Sequence, residues 1–191
     1  LSWNLALAKS LLVLYAELAR MSALTLSTAT QRSRDMSTSH NEAHMETKQP
    51  TNPKRVPRII ALQALFESDI TGHSVTECLD RLLKDRNLPS KLRNFAKELV
   101  LGVEKHKLYI DSIITKHAPA FPIRLINAVD RTILRIAVYE IQCKQKVPLK
   151  AATNEAIEVA KKFGAENSHR FINGVLGSII SNAKTPSATT L

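Results

Sequence analysis

The sequence predicts an all-α protein, in which about seven helices form a compact bundle. From about residue 59 onward, apolar residues recur at intervals of three and four, which is the spacing along one face of a helix. Aromatic residues make up only 5% of the chain, and runs of the β-branched residues that favour strands are few. Pro, Gly, Ser and Asn residues divide the periodic region into segments of ordinary helix length.

The first half of the periodic region predicts three helices. The first begins near Pro57, which suits an opening turn because its missing N–H costs nothing there, and it ends at Gly72. Ser74 begins a second helix, and Ser90 begins a long third helix that continues to about residue 116. We expect Gly102 to lie where another helix approaches the third one closely.

The second half of the region predicts four more helices. Residues 123–129 indicate a brief fourth helix, and Asp130 begins a fifth. A sixth helix over residues 152–163 is expected to end at Gly164 in the left-handed conformation. Ser168 is expected to cap the seventh helix.

Asn173-Gly174 is a turn-forming pair that stands inside the apolar repeat of the seventh helix. We interpret the pair as a packing device, in which the glycine removes side-chain bulk where another helix crosses. The pair then reports on architecture and not on chemistry.

The domain organisation is predicted from composition. Residues 1–53 contain a polar Ser/Thr/Gln/Asn-rich stretch that cannot offset its ordering entropy, so we expect a disordered or non-native extension, with a transit peptide as the alternative. An apolar run within residues 5–18 is too short to span a bilayer, so no membrane partner is expected. Residues 54–184 form the expected helical domain, and residues 185–191 a disordered tail.

Charge and cysteine content narrow the functional class. The formal net charge is +10 and the pI about 9.8, and residues 54–191 alone carry +9. Such an excess suggests a polyanionic partner, with a solubility charge as the alternative. Cys78 and Cys143 cannot form a disulfide framework, which fits inert thiols in a reducing cytoplasm.

Catalytic and ligand-binding motifs are absent from the sequence. It contains no phosphate-binding glycine loop, no H-E-x-x-H and no C-x-x-C, and its six histidines show no metal-ligand spacing. Glu155 and Glu158 share a helix face beside Lys161 and Lys162, which we interpret as ordinary surface ion pairs. We therefore expect no enzymatic activity, no cofactor and no metal site.

Basic residues stand at the start of the first helix, where carboxylates are usually favoured. Lys54, Arg55 and Arg58 occupy the first turn and the approach to it, beside backbone N–H groups that have no helical partner. Free amides together with guanidinium groups make a good phosphate site. The alternative is a solvated segment without a role.

The start of the seventh helix combines similar parts. His169 and Arg170 lie in its first turn beside Phe171. Single-stranded RNA sites bind phosphates through amides and Arg side chains, and stack bases on aromatic rings. The alternative is that Phe171 belongs to the core, since its spacing from Val175 also fits a buried stripe.

Three segments resemble the NusB family of transcription antitermination factors: RIIALQALFESDITG, VDRTILRIAVYEI and VPLKAATNEAIEVAKKFGAENSHRFINGVLG. The resemblance covers about residues 54–183 and implies seven helices in two packed sub-bundles. It also implies pairing with the small-subunit ribosomal protein NusE and binding to boxA RNA in nascent ribosomal RNA leaders. On RNA polymerase, such an assembly suppresses premature termination.

The resemblance also implies roles for individual residues. Phe171 matches a family aromatic near the RNA, and Asn167 stands where the family often has Asp. Asp130 and Arg131 match the region that faces the ribosomal protein. Lys54, Arg55 and Arg58 match the arginine-rich N-terminal motif that touches RNA in the family. With His169 and Arg170 from the first turn of the seventh helix, the predicted RNA-binding residues are Lys54, Arg55, Arg58, Asn167, His169, Arg170 and Phe171.

Two alternatives remain at this point. Ribosomal RNA cytosine methyltransferases carry a NusB-like domain, although this chain shows no glycine-rich nucleotide motif. The other alternative is a helical interaction module that does not bind RNA.

Overall fold

The computed structural model describes residues 52–84, 86–144 and 147–184. Within them the chain forms seven α-helices and no strand, which confirms the all-α prediction. The predicted N-terminal extension (apart from residues 52–53) and the predicted tail over residues 185–191 lie outside the described residues. The helices are α1 (Arg55–Thr71), α2 (Val75–Lys84), α3 (Ser90–Lys105), α4 (Lys107–His117), α5 (Ala128–Val138), α6 (Leu149–Phe163) and α7 (Ser168–Lys184). A π-helical turn, Tyr139–Lys144, continues α5.

Helices α1, α2 and α3 form the first sub-bundle, since each packs against the other two. Its core contains Phe66 from α1, Leu83 from α2 and Leu99 from α3, all of them almost fully buried. Gly72 ends α1 with a φ of 75°, a left-handed conformation that glycine adopts without steric cost.

Helix α5 is the centre of the second sub-bundle, where it contacts α4, α6 and α7. It also packs on α1, and so it joins the two sub-bundles. Leu134 on α5 and Leu176 on α7 are completely buried. Among the described helices, none is long and apolar enough to cross a bilayer.

An ion-pair cluster ties α1, α4 and α5 together. Asp69 on α1 accepts from Arg131 at 2.7 Å and from Arg135 at 3.2 Å, both on α5, and pairs with Lys107 at 3.3 Å. Arg135 also forms a two-point contact with Asp111 on α4 at 2.8 and 2.9 Å. This cluster fixes the C-terminal half of α1 relative to the second sub-bundle.

The predictions for two helices are wrong, since one is divided into two and the other does not form. The long third helix divides into α3 and α4, because the backbone of His106 leaves helical geometry at φ −106° and ψ 14°. Residues 123–126 form turns and a bend and not a fourth helix, and α5 begins at Ala128 with Asn127 as its side-chain cap. The total of seven is right because one error offsets the other.

The glycine predictions have mixed outcomes. Close approach at Gly102 is confirmed, since a Cβ there would lie 2.0 Å from the Tyr139 ring. Gly174 is no packing device, because it is exposed and a Cβ there would meet nothing within 4 Å. Gly164 is extended and not left-handed, at φ −85° and ψ 177°. Its N–H still donates to the Ala160 carbonyl at 2.8 Å and so ends α6.

Candidate nucleic-acid interface

The positive N-terminal end of α1 is not neutralised by an acidic side chain of the helix itself. No acidic side chain lies in the first turn, and Lys54 at the cap position makes no side-chain capping bond. Its own N–H donates to the Asn52 side chain at 3.0 Å, and Lys54 is exposed. The Arg55 N–H donates to the Asn52 carbonyl at 2.8 Å and Pro57 has no N–H, so it is the positive end of the helix dipole, more than free amides, that favours an anion here.

Arg55 is the cation held at this helix end. Its Nε and Nη2 donate to the two carboxylate oxygens of Glu155 on α6 at 3.1 and 3.2 Å. That hydrogen bond raises the pKa of Arg55 above its usual value, against the opposing effect of burial. The side chain keeps 30% exposure, so a partly solvated guanidinium stands in a fixed orientation at the surface.

Arg58 lies inside the protein, which corrects its expected position at the surface. The side chain is 4% exposed, and its Nε and Nη2 each donate to Glu140 at 2.8 Å. Its Nη1 donates to the Lys54 carbonyl at 3.1 Å. Arg58 turns inward because Glu140 is 1% exposed and requires a partner there, so its guanidinium is not presented to a phosphate.

Three cationic side chains lie close to one aromatic ring at the same helix end. The Phe95 ring of α3 has Lys54 Nζ at 5.5 Å, the Arg58 guanidinium carbon at 5.4 Å and Lys144 Nζ at 4.2 Å from its centroid. Lys144 also pairs with Glu98 at 2.5 Å. Sequence reasoning missed Phe95 and Lys144, because they come from α3 and from the π-helical turn.

The N-terminus of α7 is built differently from the expected cap. Ser168 is the first helical residue, and its hydroxyl donates to buried Asp130 on α5 at 2.8 Å. The Asn167 carbonyl instead accepts from the backbone N–H groups of Arg170 and Phe171, both at 3.1 Å. Asn167 and Arg170 are exposed, and His169 is half-buried.

Phe171 forms an aromatic pair with Phe121, a residue that sequence reasoning missed. The ring centroids are 5.1 Å apart with an interplanar angle of 68°, an edge-to-face arrangement. Phe121 is 52% exposed and Phe171 half-buried. Phe171 is therefore neither a free surface ring nor a core residue.

The structure does not bring the two helix N-termini into one site. The α7 end contacts Asp130, whereas Arg58 at the α1 end contacts Glu140. Ten residues of helical rise separate those two carboxylates, a distance of roughly 15 Å. The two N-termini thus lie near opposite ends of α5.

Asp130 is buried, which corrects its expected place at an exposed rim. It is 7% exposed, and burial raises the pKa of its carboxyl, although the Ser168 hydroxyl bond opposes the change. Arg131 is 15% exposed and donates to the Ile123 and Ile126 carbonyls at 3.3 and 3.2 Å. Both side chains hold internal structure around the α4–α5 connection.

Residues 55–181 match the family model described as the NusB family. The transcription antitermination protein NusB of Roseiflexus sp. (strain RS-1) is 46% identical over 130 residues, which cover 67% of this chain and 92% of that protein. The protein of the same name from Bacillus subtilis (strain 168) is 39% identical over 129 residues, covering 68% and 95%.

Solved structures agree with these matches. T. maritima NusB superposes with a TM-score of 0.64 at 30% identity, covering 69% of this chain and 92% of that one. A chain from the crystal structure of antitermination factors NusB and NusE in complex with dsRNA gives a TM-score of 0.63 at 27% identity, covering 68% and 97%.

The helices and the matches together define the class, that of the all-α transcription antitermination factors. The chain belongs to the NusB family. The relatives named above are called transcription antitermination proteins and not enzymes, in agreement with the sequence-based prediction.

Proposed function

We propose that this protein binds boxA-type single-stranded RNA in nascent ribosomal RNA transcripts together with the ribosomal protein NusE. In that complex it supports antitermination by RNA polymerase and so ribosomal RNA synthesis in the cytoplasm. Family membership and the relative crystallised with NusE and dsRNA support this function. The observation that carries the proposal is Arg55, held by Glu155 beside the acid-free first turn of α1.

The proposed RNA surface has two parts. Lys54, Arg55 and the positive end of the α1 dipole form a phosphate site, and Arg58 supports it from inside through Glu140 and the Lys54 carbonyl. At α7, the exposed Arg170 side chain binds phosphate at the positive end of the helix dipole, and the Phe171 ring stacks a base. Asn167 and His169 line that second part.

The proposed partner surface is the region around the α4–α5 connection. Asp130 and Arg131 shape it from within, because Arg131 holds the Ile123 and Ile126 carbonyls in place. Exposed Phe121 and Leu125 lie on the same connection and offer apolar contact to a protein. Asp130→Lys is therefore expected to destabilise the fold, because it buries an unpaired charge.

RNA binding is tested by fluorescence anisotropy with boxA-containing RNA and a scrambled RNA, with and without NusE, across a salt series. Arg55→Ala should reduce the slope of log K against log salt by roughly 0.7, the value of one phosphate contact. Lys105→Ala is the matched control: Lys105 is exposed, and it lies ten residues or roughly 15 Å along α3 from Phe95. Its slope should equal that of the wild type.

Phe171→Ala tests the base-stacking part of the proposal. It should weaken RNA binding by about 1–3 kcal/mol and leave the salt slope unchanged. Thermal unfolding of the same variant shows whether lost folding accounts for the weaker binding. Equal affinities for boxA and scrambled RNA in the presence of NusE would contradict the proposed specificity.

A further inference from the structure

Three possible metal ligands meet where α1 passes into α2. Glu67 comes from α1, His73 from the connection and Cys78 from α2. Their ligand atoms, a carboxylate oxygen, an imidazole nitrogen and a thiol sulfur, all lie within 4.8 Å of one another. The sequence predicted no metal site, because a single Glu, His and Cys, with five and then four residues between them, form neither the Cys/Cys nor the His/His pair of common zinc motifs.

The connection that carries His73 is already ordered by hydrogen bonds. Gly72 adopts its left-handed conformation with its N–H on the Ser68 carbonyl at 3.0 Å. The Ser68 hydroxyl donates to the His73 carbonyl at 2.8 Å, and the His73 N–H donates to the Thr71 hydroxyl at 3.2 Å. The backbone at His73 is thus held against the end of α1 without any ligand.

Burial and ligand type fit a zinc-class cation. Cys78 is 1% exposed and Glu67 9%, whereas His73 is exposed. Thiolate, imidazole and carboxylate are the three ligand types that zinc takes in proteins, and tetrahedral zinc ligands lie roughly 3.5 Å apart. The 4.8 Å limit exceeds that spacing by about 1 Å, which rotations of the His73 and Glu67 side chains would close.

Arg81 is compatible with a metal at this place. Its Nη2 donates to Glu67 Oε1 from the next turn of α2. A carboxylate has two oxygens and several acceptor positions, so Glu67 can keep Arg81 and still offer an oxygen to a cation. Partners of this kind orient metal ligands in other proteins.

We propose that Glu67, His73 and Cys78 form a binding site for a divalent zinc-class cation, with water at the fourth position. The cation clips the C-terminal end of α1 to α2. Glu67 lies twelve residues, roughly 18 Å, along α1 from Arg55, so the site is separate from the proposed RNA surface.

The test uses the full chain with Co²⁺ as a spectroscopic probe and Zn²⁺ in calorimetry. Wild-type protein should show a thiolate-to-cobalt charge-transfer band, which histidines elsewhere in the chain cannot produce. His73→Ala should weaken Zn²⁺ binding at least tenfold while keeping its fold, because this side chain is exposed. Cys78→Ala should lose the band, and circular dichroism checks that it remains helical.

Cys143→Ala is the matched control, since Cys143 is the other free cysteine and lies on the π-helical turn. It should keep both the band and the Zn²⁺ affinity, and Zn²⁺ should raise the melting temperature of wild type but not of His73→Ala. The proposal is overturned by the absence of a thiolate band in wild type, by its survival in Cys78→Ala, or by Zn²⁺ affinity that does not depend on His73.

Discussion

Arg55 and Arg58 stand three residues apart on one helix but have different surroundings. Arg58 and its partner Glu140 are both almost completely buried, whereas Arg55 keeps 30% exposure on Glu155. A buried ion pair that loses one member leaves the other charge without solvent or partner. One arginine is thus required for the fold, and the other is available to a ligand.

Arg58→Ala is expected to lower the free energy of unfolding by about 3–5 kcal/mol, because Glu140 would remain buried and unpaired. Arg55→Ala should cost less, about 1 kcal/mol, because Arg55 is partly exposed and Arg58 Nη1 remains 3.9 Å from the buried Glu155 carboxylate. Urea denaturation of both variants measures the difference. Equal losses would show that Glu140 finds another partner when Arg58 is removed.

The buried Asp130 carboxyl makes the folding stability decrease as the pH rises. Burial raises its pKa in the folded state, so the folded protein keeps this proton to higher pH than the unfolded chain. As pH rises from about 4 through the folded pKa, the wild type should lose stability relative to Asp130→Asn. Urea denaturation of both proteins between about pH 4 and about pH 7 measures the change.

Glu158→Gln is a control of opposite sign. The hydrogen bond from Lys161 lowers the pKa of Glu158, so its contribution is present above the unfolded pKa and lost as pH falls. The wild type should therefore lose stability relative to Glu158→Gln as the pH falls below about 4, and should show no further change above that pH. A flat difference for Asp130→Asn would contradict the buried-carboxyl interpretation.

At the scale of single helices, two glycines inside α3 and α7 have opposite surroundings. A Cβ at Gly102 would collide with the Tyr139 ring, and one at Gly174 would meet open space. Glycine in a helix interior has a conformational cost relative to alanine. At Gly102 the close Tyr139 ring explains why a glycine is present despite this cost. At Gly174 the packing gives no such explanation.

Gly174→Ala is expected to raise the free energy of unfolding by about 0.5–1 kcal/mol, through helix propensity alone. Gly102→Ala should lower it by about 1–3 kcal/mol, because the buried Tyr139 ring would have to shift. Thermal and urea unfolding of the two variants measure both values. Destabilisation by Gly174→Ala would mean that this face of α7 is covered in solution.

At the scale of the whole molecule, the sequence predicted the helical stripes and the family but not the partners across the fold. Arg58 contacts a carboxylate 82 positions away, and Ser168 one 38 positions away. Glu155 was expected to form a surface pair, yet it is buried beside Ala152, Ala156 and Val159. A carboxylate on an apolar helix face indicates a buried cation, but only the packing identifies which one.

The spacing of the two helix N-termini decides how RNA would use them. Roughly 15 Å along α5 is longer than the step between neighbouring phosphates of a single RNA strand. Arg55 and Arg170 would therefore contact different phosphates of one strand. Sites that share no partner and lie more than about 10 Å apart act additively.

Arg55→Ala and Arg170→Ala should each reduce the salt slope of binding to boxA RNA by roughly 0.7, and the double variant by roughly 1.4. A dinucleotide has one bridging phosphate and cannot contact both helix ends, so with it the double variant should lose less slope than the sum of the two single variants. Anisotropy titrations at several salt concentrations with both RNAs measure these slopes. If the double variant reduces the salt slope with boxA RNA no more than either single variant does, only one of the two N-termini contacts phosphate.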